Sequence, residues 1–411
     1  MNPGIIDNSK LMDNPALIDD SGLVDYLVID ADNHYYEQDD AFTRHIERKY
    51  QDHALHVIEV NGGEQWVIDG NPVSYCRENP GALCPAPGSR SKFFSGAESY
   101  GANIELCTPK EMPALMQKSA RLDLMDEQGI QAILQLPTVG VLFEPDIEDV
   151  SVLYANFRAL NRWIEEEWGF GHDGRIFGVP LLSLRDVDLA VMELDRVADA
   201  GARAVCLNCG PVGDQSPADP AFGAFWSRVE ERGTLVVYHV GNSGYSQWYA
   251  SRFSETPNLH IRNFTAFQHY SCNIERPIAD TIAALILHNL FGRFPAIQVA
   301  TVELGSAWVV PLLVQLDKSV KMAQRSRWLG GTLDRPPSEL FKSHVSVAPY
   351  HEENIFGLVE AIGANRVLFG SDFPHGEGLA EPLQFLESLR GMTLSDVRQI
   401  MRDNAGQLLH I

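Results

Sequence analysis

From residue 111 onward, short unbroken apolar runs alternate with longer stretches whose apolar residues recur every three or four positions. The runs IQAILQLP, RIFGVPLL, ARAVCLN, TLVVYHV, AIQVATVE, HVSVAP and RVLFGSD do not alternate with polar residues, the pattern of strands buried on both faces of a parallel sheet. Between them, SVLYANFRALNRWIEEEW and DVDLAVMELDRVADAG carry the period of amphipathic helices. Gly129 is placed to end one helix, and Pro220 to begin another. The stretch SAWVVPLLVQLDKSVKMAQR reads as helical despite Pro311. One further run, YLVID, stands apart near the front. Strands at about residues 27, 131, 176, 203, 234, 297, 344 and 366, with helices between them, predict an α/β chain folded as a (β/α)8 barrel.

The segment 36–110 breaks this grammar. Within it, HVIEV-NGGE-QWVI reads as a hairpin turning at Asn61-Gly62-Gly63, and ENPGALCPAPGSRS as a loop. Inserted after the first strand, 36–110 is expected to cap the barrel's C-terminal face. Residues 1–22 read as a polar arm, and 23–411 as one domain.

Composition narrows the function. The 411 residues include 55 acidic and 32 basic side chains, a net charge of −23, which argues against a nucleic-acid binder. No signal peptide opens the sequence, and ALILHNLF is too short to span a membrane, so a cytoplasmic protein with no membrane partner is expected. Six cysteines are too sparse for a disulfide framework, and Cys206-Leu-Asn-Cys209 reads as a buried strand end. No glycine-rich nucleotide loop is present.

Polar residues gather at the predicted strand ends. Asp30-x-Asp32-x-His34 puts three donors on one face of the first strand. His239 ends the fifth strand, Glu303 the sixth and Asp372 the eighth, with His375 and Glu377 close behind. A carboxylate after a buried apolar run is costly unless it is paired or binds a cation. Four strands offering Asp, His and Glu at one end point to a shared metal. Arg121 and Asp123 read as a structural pair, His260 and His269 as surface or wall residues, and His351 with Glu352-Glu353 as the acidic start of a helix.

With IDADNHYYE, RLDLMDEQGIQA, VVYHVG, VELGSAWV and VLFGSDFPHGEG, the chain resembles the amidohydrolase-2 type of TIM-barrel metal enzymes from Tyr26 to about Ile411. The resemblance implies Asp32, His34, His239 and Asp372 as metal ligands. It departs in two places: Glu303 stands where the family commonly has an acid/base histidine, and the fourth strand lacks a bridging lysine. The sequence is also similar to a branch of TIM-barrel non-haem diiron monooxygenases of the platensimycin and platencin biosynthetic type. That similarity implies two irons, dioxygen, an external electron donor, and hydroxylation of a bulky carboxylate or its CoA thioester. Under it, Glu303, Glu37, His288 and His375 are candidate donors to a second metal, with Glu303, Asp372 and His375 in catalysis. The alternative is a zinc or manganese hydrolase or decarboxylase using a metal-activated water, and a non-catalytic barrel is a third reading. A homo-oligomer is expected only by analogy.

Overall fold

The computed structural model describes residues 26–90, 104–323 and 325–411. The predicted arm 1–22 and part of the predicted cap lie outside the described residues. In chain order the strands are β1 (Val28–Tyr35), β2 (His56–Val60), β3 (Gly63–Ile68), β4 (Asn71–Pro72), β5 (Cys84–Pro85), β6 (Leu106–Cys107), β7 (Ile130–Pro137), β8 (Ile176–Gly178), β9 (Ala204–Leu207), β10 (Leu235–His239), β11 (Val299–Val302) and β12 (Val345–Val347).

Two parallel sheets form the centre, in the orders β1-β7-β8 and β12-β11-β10-β9. Every residue of β1, β10 and β11 is buried, as the apolar runs of β10 and β11 predict, whereas β1 buries Asp30, Asp32, Asn33 and His34 as well. Helices pack outside. Helix Val150–Glu167 starts at Asp149, whose carboxylate accepts the Ser151 and Val152 N–H groups. It turns Leu153, Phe157, Leu160 and Ile164 into the core. Helix Val309–Met322 tolerates Pro311 because the proline lies in its first turn, where amides have no partner within the helix. The result is a TIM-barrel-like α/β fold.

The expected eighth strand is not a regular ladder. The two sheets meet through single parallel bridges: Leu181 with Cys206 on one side, and Val347 with Val367 and Asn33 with Phe373 on the other. Segment 367–373 therefore runs between β12 and β1 without continuous pairing. The cause is local. The Asp30 carboxylate takes the N–H groups of both Asp32 and Ser371, which a regular ladder would give to backbone carbonyls. Register on β1 shifts between Asp30 and Asn33 at that point.

The described part of 36–110 forms two small antiparallel sheets. Asn61 and Gly62 both have positive φ between β2 and β3, as the predicted hairpin requires. Some of the segment's hydrogen bonds run to helix Val150–Glu167, and others to loops that follow the central strands. Ser74 N–H reaches Asp146, the Tyr75 carbonyl accepts from Ile261, and Gly88 and Arg90 N–H groups bond the carbonyls of His375 and Gly376.

Candidate metal centre

Asp32 and His34 lie at the end of β1, His239 ends β10, Glu303 follows β11, Asp372 lies near the end of the 367–373 segment and His375 just after it. The fold brings these six side chains together. His34 Nε2 lies 3.2 Å from Asp32 Oδ1, 3.2 Å from His239 Nε2, 3.4 Å from Glu303 Oε2 and 3.6 Å from Asp372 Oδ1. His239 Nε2 lies 2.9 Å from Glu303 Oε2, and His375 Nδ1 lies 2.6 Å from Asp372 Oδ1. The His375 ring stacks on His34 at 4.1 Å. Two donor groups result, Asp32-His34-His239-Glu303 and His34-Glu303-Asp372-His375, sharing His34 and Glu303.

Hydrogen-bond logic shows that the donors face inward. His239 Nδ1 lies 2.7 Å from the Val240 carbonyl, which can only accept, so the proton of a neutral ring sits on Nδ1. Nε2 is then bare and aimed at Glu303 and His34. His375 repeats the arrangement. The Thr138 hydroxyl donates to the Tyr35 carbonyl and must accept from His375 Nε2–H, leaving Nδ1 bare against Asp372. Glu303 Oε2 is buried with no hydrogen-bond partner. Bare nitrogens against carboxylate oxygens repel unless a proton or a cation lies between them.

The electrostatics agree. Burial alone would lower His239, but Glu303 and Asp32 outweigh it and raise the imidazole to about 10. Burial would raise Glu303, but His239 and His34 hold it well below the usual carboxylate range. Burial raises Asp372 well above that range, and Glu303 and Asp32 add to the effect. Burial and the neighbouring His34 pull His375 down to about 3. The raised imidazoles and lowered carboxylates show that positive charge is wanted between these groups, and protons on His34 and His239 or a divalent cation can supply it.

Backbone strain marks two of these donors. Glu303 and Asp372 have φ of 51° and 55°, a left-handed conformation unusual for residues with side chains. Such strain persists where surrounding structure enforces it, and it concentrates at functional sites. Asp30 supplies one restraint. Besides the Asp32 and Ser371 amides, its carboxylate accepts from Asn33 Nδ2 at 3.0 Å and from Ser371 Oγ at 2.5 Å. Gly370 permits the close approach, since a Cβ there would lie 2.6 Å from Asp32 Cβ.

Two candidate donors lie elsewhere. Both oxygens of the buried Glu37 accept the Val139 N–H, and Oε1 also accepts the Gly140 N–H. Glu37 therefore fastens the loop after β7, whose Thr138 holds His375, and reaches no imidazole. His288 ends helix Glu275–Leu287 with Nδ1 2.7 Å from Ser216 Oγ, remote from the cluster. Arg121 is buried and donates to the Ala114 carbonyl and the Asn33 side chain, a structural role. Its predicted pairing with Asp123 gives way to these contacts.

Other residues escaped the sequence reading. Thr138 carries no motif and acts through two hydrogen bonds that only the fold creates. Glu353, read as an acidic helix start, accepts four hydrogen bonds from the loops after β11 and β12. A separate group of Cys76, Glu78 and His260 is close enough to hold an ion. However, His260 Nδ1 accepts the Arg262 N–H, so Nε2–H donates to Glu78 at 2.7 Å. That group is already a satisfied pin between the 36–110 segment and the segment after β10.

A family model described as amidohydrolase matches residues 29–411. Among solved structures, an amidohydrolase from Mycobacterium avium subsp. paratuberculosis K-10 is 32% identical, with a TM-score of 0.86 over 94% of this chain and 100% of that one. The 5-carboxyvanillate decarboxylase of Sphingomonas paucimobilis is 21% identical, with a TM-score of 0.58 over 74% of this chain and 86% of its own. A manganese-bound 5-carboxyvanillate decarboxylase mutant from Novosphingobium aromaticivorans DSM 12444 is 15% identical, with a TM-score of 0.59 over 94% and 98%. The latter two share the fold. No curated protein sequence matches the chain.

Proposed function

The chain belongs to the amidohydrolase family, and from that premise we propose that it is a metal-dependent, non-redox enzyme that decarboxylates or hydrolyses a small carboxylate. The supporting observation is the convergence of imidazole nitrogens and carboxylate oxygens from four parts of the chain on one buried point, above all His239 Nε2 at 2.9 Å from Glu303 Oε2. Asp32, His34, His239 and Glu303 would hold the cation, with Asp372 at its edge. Manganese or zinc suits this mixed oxygen and nitrogen set. When bound, such a cation polarises a substrate carbonyl or carboxylate and lowers the pKa of a coordinated water to about 7.

The protein's own groups handle the proton. Glu303 occupies the place where family members commonly carry an acid/base histidine, so that task passes to His375. Its imidazole is neutral, stacks on His34, and spans from Asp372 to Thr138. With Asp372 raised by burial and by its carboxylate neighbours, a proton can pass between Asp372 Oδ1 and His375 Nδ1. Burial keeps bulk water out of the exchange; the side chains of Glu303, Asp372 and His375 are only 12%, 11% and 14% exposed.

Several of the solved neighbours are named as decarboxylases and two as amidohydrolases, and manganese is named in three of the decarboxylase structures. Those relatives lend no support to an iron monooxygenase acting on a CoA thioester. A two-cation, oxygen-using centre stays as a second reading because the two donor groups overlap at His34 and Glu303. Chelated protein reloaded with manganese, zinc or iron, then assayed for CO2 release and ester cleavage under nitrogen, separates the two. Oxygen-free turnover with manganese or zinc is expected. Turnover that requires dioxygen and two irons per chain would replace the first reading. His239→Ala is expected to lose bound metal and at least about 100-fold in activity, consistent with removal of an inner ligand.

A further inference from the structure

Glu303 heads a six-residue connection, 303–308, between β11 and helix Val309–Met322. Its backbone is left-handed at φ 51°, and Gly305 two residues on is left-handed at 61°. A left-handed residue with a side chain is disfavoured relative to ordinary backbone. Something must hold it there. The fastening comes from the loop after β12. Glu353 Oε1 accepts the N–H groups of Ser306 and Ala307 at 2.9 and 3.0 Å. Its Oε2 accepts the Ser306 hydroxyl and the Tyr350 N–H, each at 2.9 Å. The Tyr350 hydroxyl then donates to the carbonyl of Glu303 itself at 2.9 Å.

Packing closes the arrangement. A Cβ on Gly305 would stand 2.9 Å from the Tyr350 ring and 3.1 Å from Glu353 Oε1, so glycine lets the two loops meet. The Trp308 indole N–H caps the Leu304 and Gly305 carbonyls from the other side. Glu353 is not needed to start the helix Ile355–Ile362, because Asn354 accepts the Gly357 N–H and caps it. Its exposed neighbour Glu352 lies 3.3 Å from His351 Nδ1.

We propose that Glu353 and Tyr350 are positioning residues that fix the Glu303 backbone so that its carboxylate meets His34 and His239, and thereby set the cation affinity of the centre. The inference rests on the metal-dependent reading above. It adds that this affinity is controlled from the loop after β12, which contributes no donor of its own to the cluster.

Titrating metal-free wild type, Tyr350→Phe, Glu353→Gln and Glu352→Gln with cobalt(II) tests the idea. Affinity and the visible cobalt spectrum are recorded, with the melting temperature of each metal-free protein alongside. Tyr350→Phe removes one hydroxyl. Glu353→Gln turns an acceptor oxygen into an amide donor facing other donors, so its effect should be larger. Loss of a supporting partner typically weakens binding about 10–100-fold. That loss is expected in both variants with a changed cobalt spectrum, and neither change in Glu352→Gln. The metal-free melting temperature of Tyr350→Phe should stay near wild type. Wild-type affinity and spectrum in Tyr350→Phe overturn the proposal, whether or not Glu353→Gln folds. No cobalt binding by wild type overturns the metal reading together with it, so the two failures are distinct.

Discussion

At the scale of single residues, carboxylates with the same chemistry divide into two groups by what faces them. Asp32, Glu303 and Asp372 face imidazoles. Asp30, Glu37 and Glu353 face amide and hydroxyl donors and act as fasteners. Sequence spacing put Asp30 and Asp32 on one face and could not tell them apart, and it could not separate Glu37 from a ligand, because both kinds sit beside a strand end. Glu37 gives a measurable signature of its role. Burial raises it from 4.5 to about 7, against the pull of the Val139 and Gly140 amides. The folded protein then keeps a proton that the unfolded chain has lost, so between pH 4.5 and about 7 stability falls as pH rises. Glu37→Gln lacks this titration. Denaturant unfolding should show the wild type's advantage over Glu37→Gln shrinking from pH 5 to pH 8, by at most on the order of 3 kcal/mol. A difference between the two that does not vary with pH would refute the assignment.

Whole elements were more legible than their joins. Unbroken apolar runs marked seven of the central strands, and Asn61-Gly62 marked the hairpin, because burial on two faces and positive φ each restrict which residues can serve. His239 and Glu303 were found for the same reason: a polar residue ending a buried run stands out against its neighbours. The eighth strand failed as a regular strand because its pairing depends on the Asp30 side chain, a contact 341 residues apart in sequence. Glu353 was misread on similar grounds, since an acidic residue before a helix usually serves the helix, and its actual partners lie 46 and 47 residues upstream. The join between β1 and segment 367–373 is also the place most sensitive to added bulk. Gly370→Ala puts a methyl group 2.6 Å from Asp32 Cβ, with Asp32 already tied to the cluster. Overpacking of this kind costs about 1–3 kcal/mol. Metal content should fall along with the melting temperature, whereas Gly233→Ala, at a helix end far from the cluster, should lower stability through its left-handed backbone and leave metal content alone. Equal metal retention in both variants would remove the claim that this join shapes the site.

For the molecule as a whole, the net charge of −23 sets a background of self-repulsion, and folding sharpens it by drawing Asp32, Glu303 and Asp372 into one buried cluster. The six donors arrive from three separate strand ends and the 367–373 segment, so the unfolded chain offers no comparable site. A cation that binds only the folded state stabilises it by RT ln(1 + [L]/Kd), about 2.7 kcal/mol at one hundred times Kd. Above Kd, each further tenfold of free manganese or zinc should add about 1.4 kcal/mol. Stripping the metal with a chelator should lower the melting temperature by a few degrees, and titrating it back should raise it in equal steps per decade of free cation. Ionic strength must be held fixed, because salt alone relieves repulsion in so acidic a protein. His239→Ala provides the contrast: it keeps nearly all of the negative charge but loses one inner donor, so its melting temperature should respond to salt as the wild type does and hardly at all to micromolar cation. If the wild type responds to cation no more than this variant does, the cluster is a hydrogen-bonded core and not a metal centre.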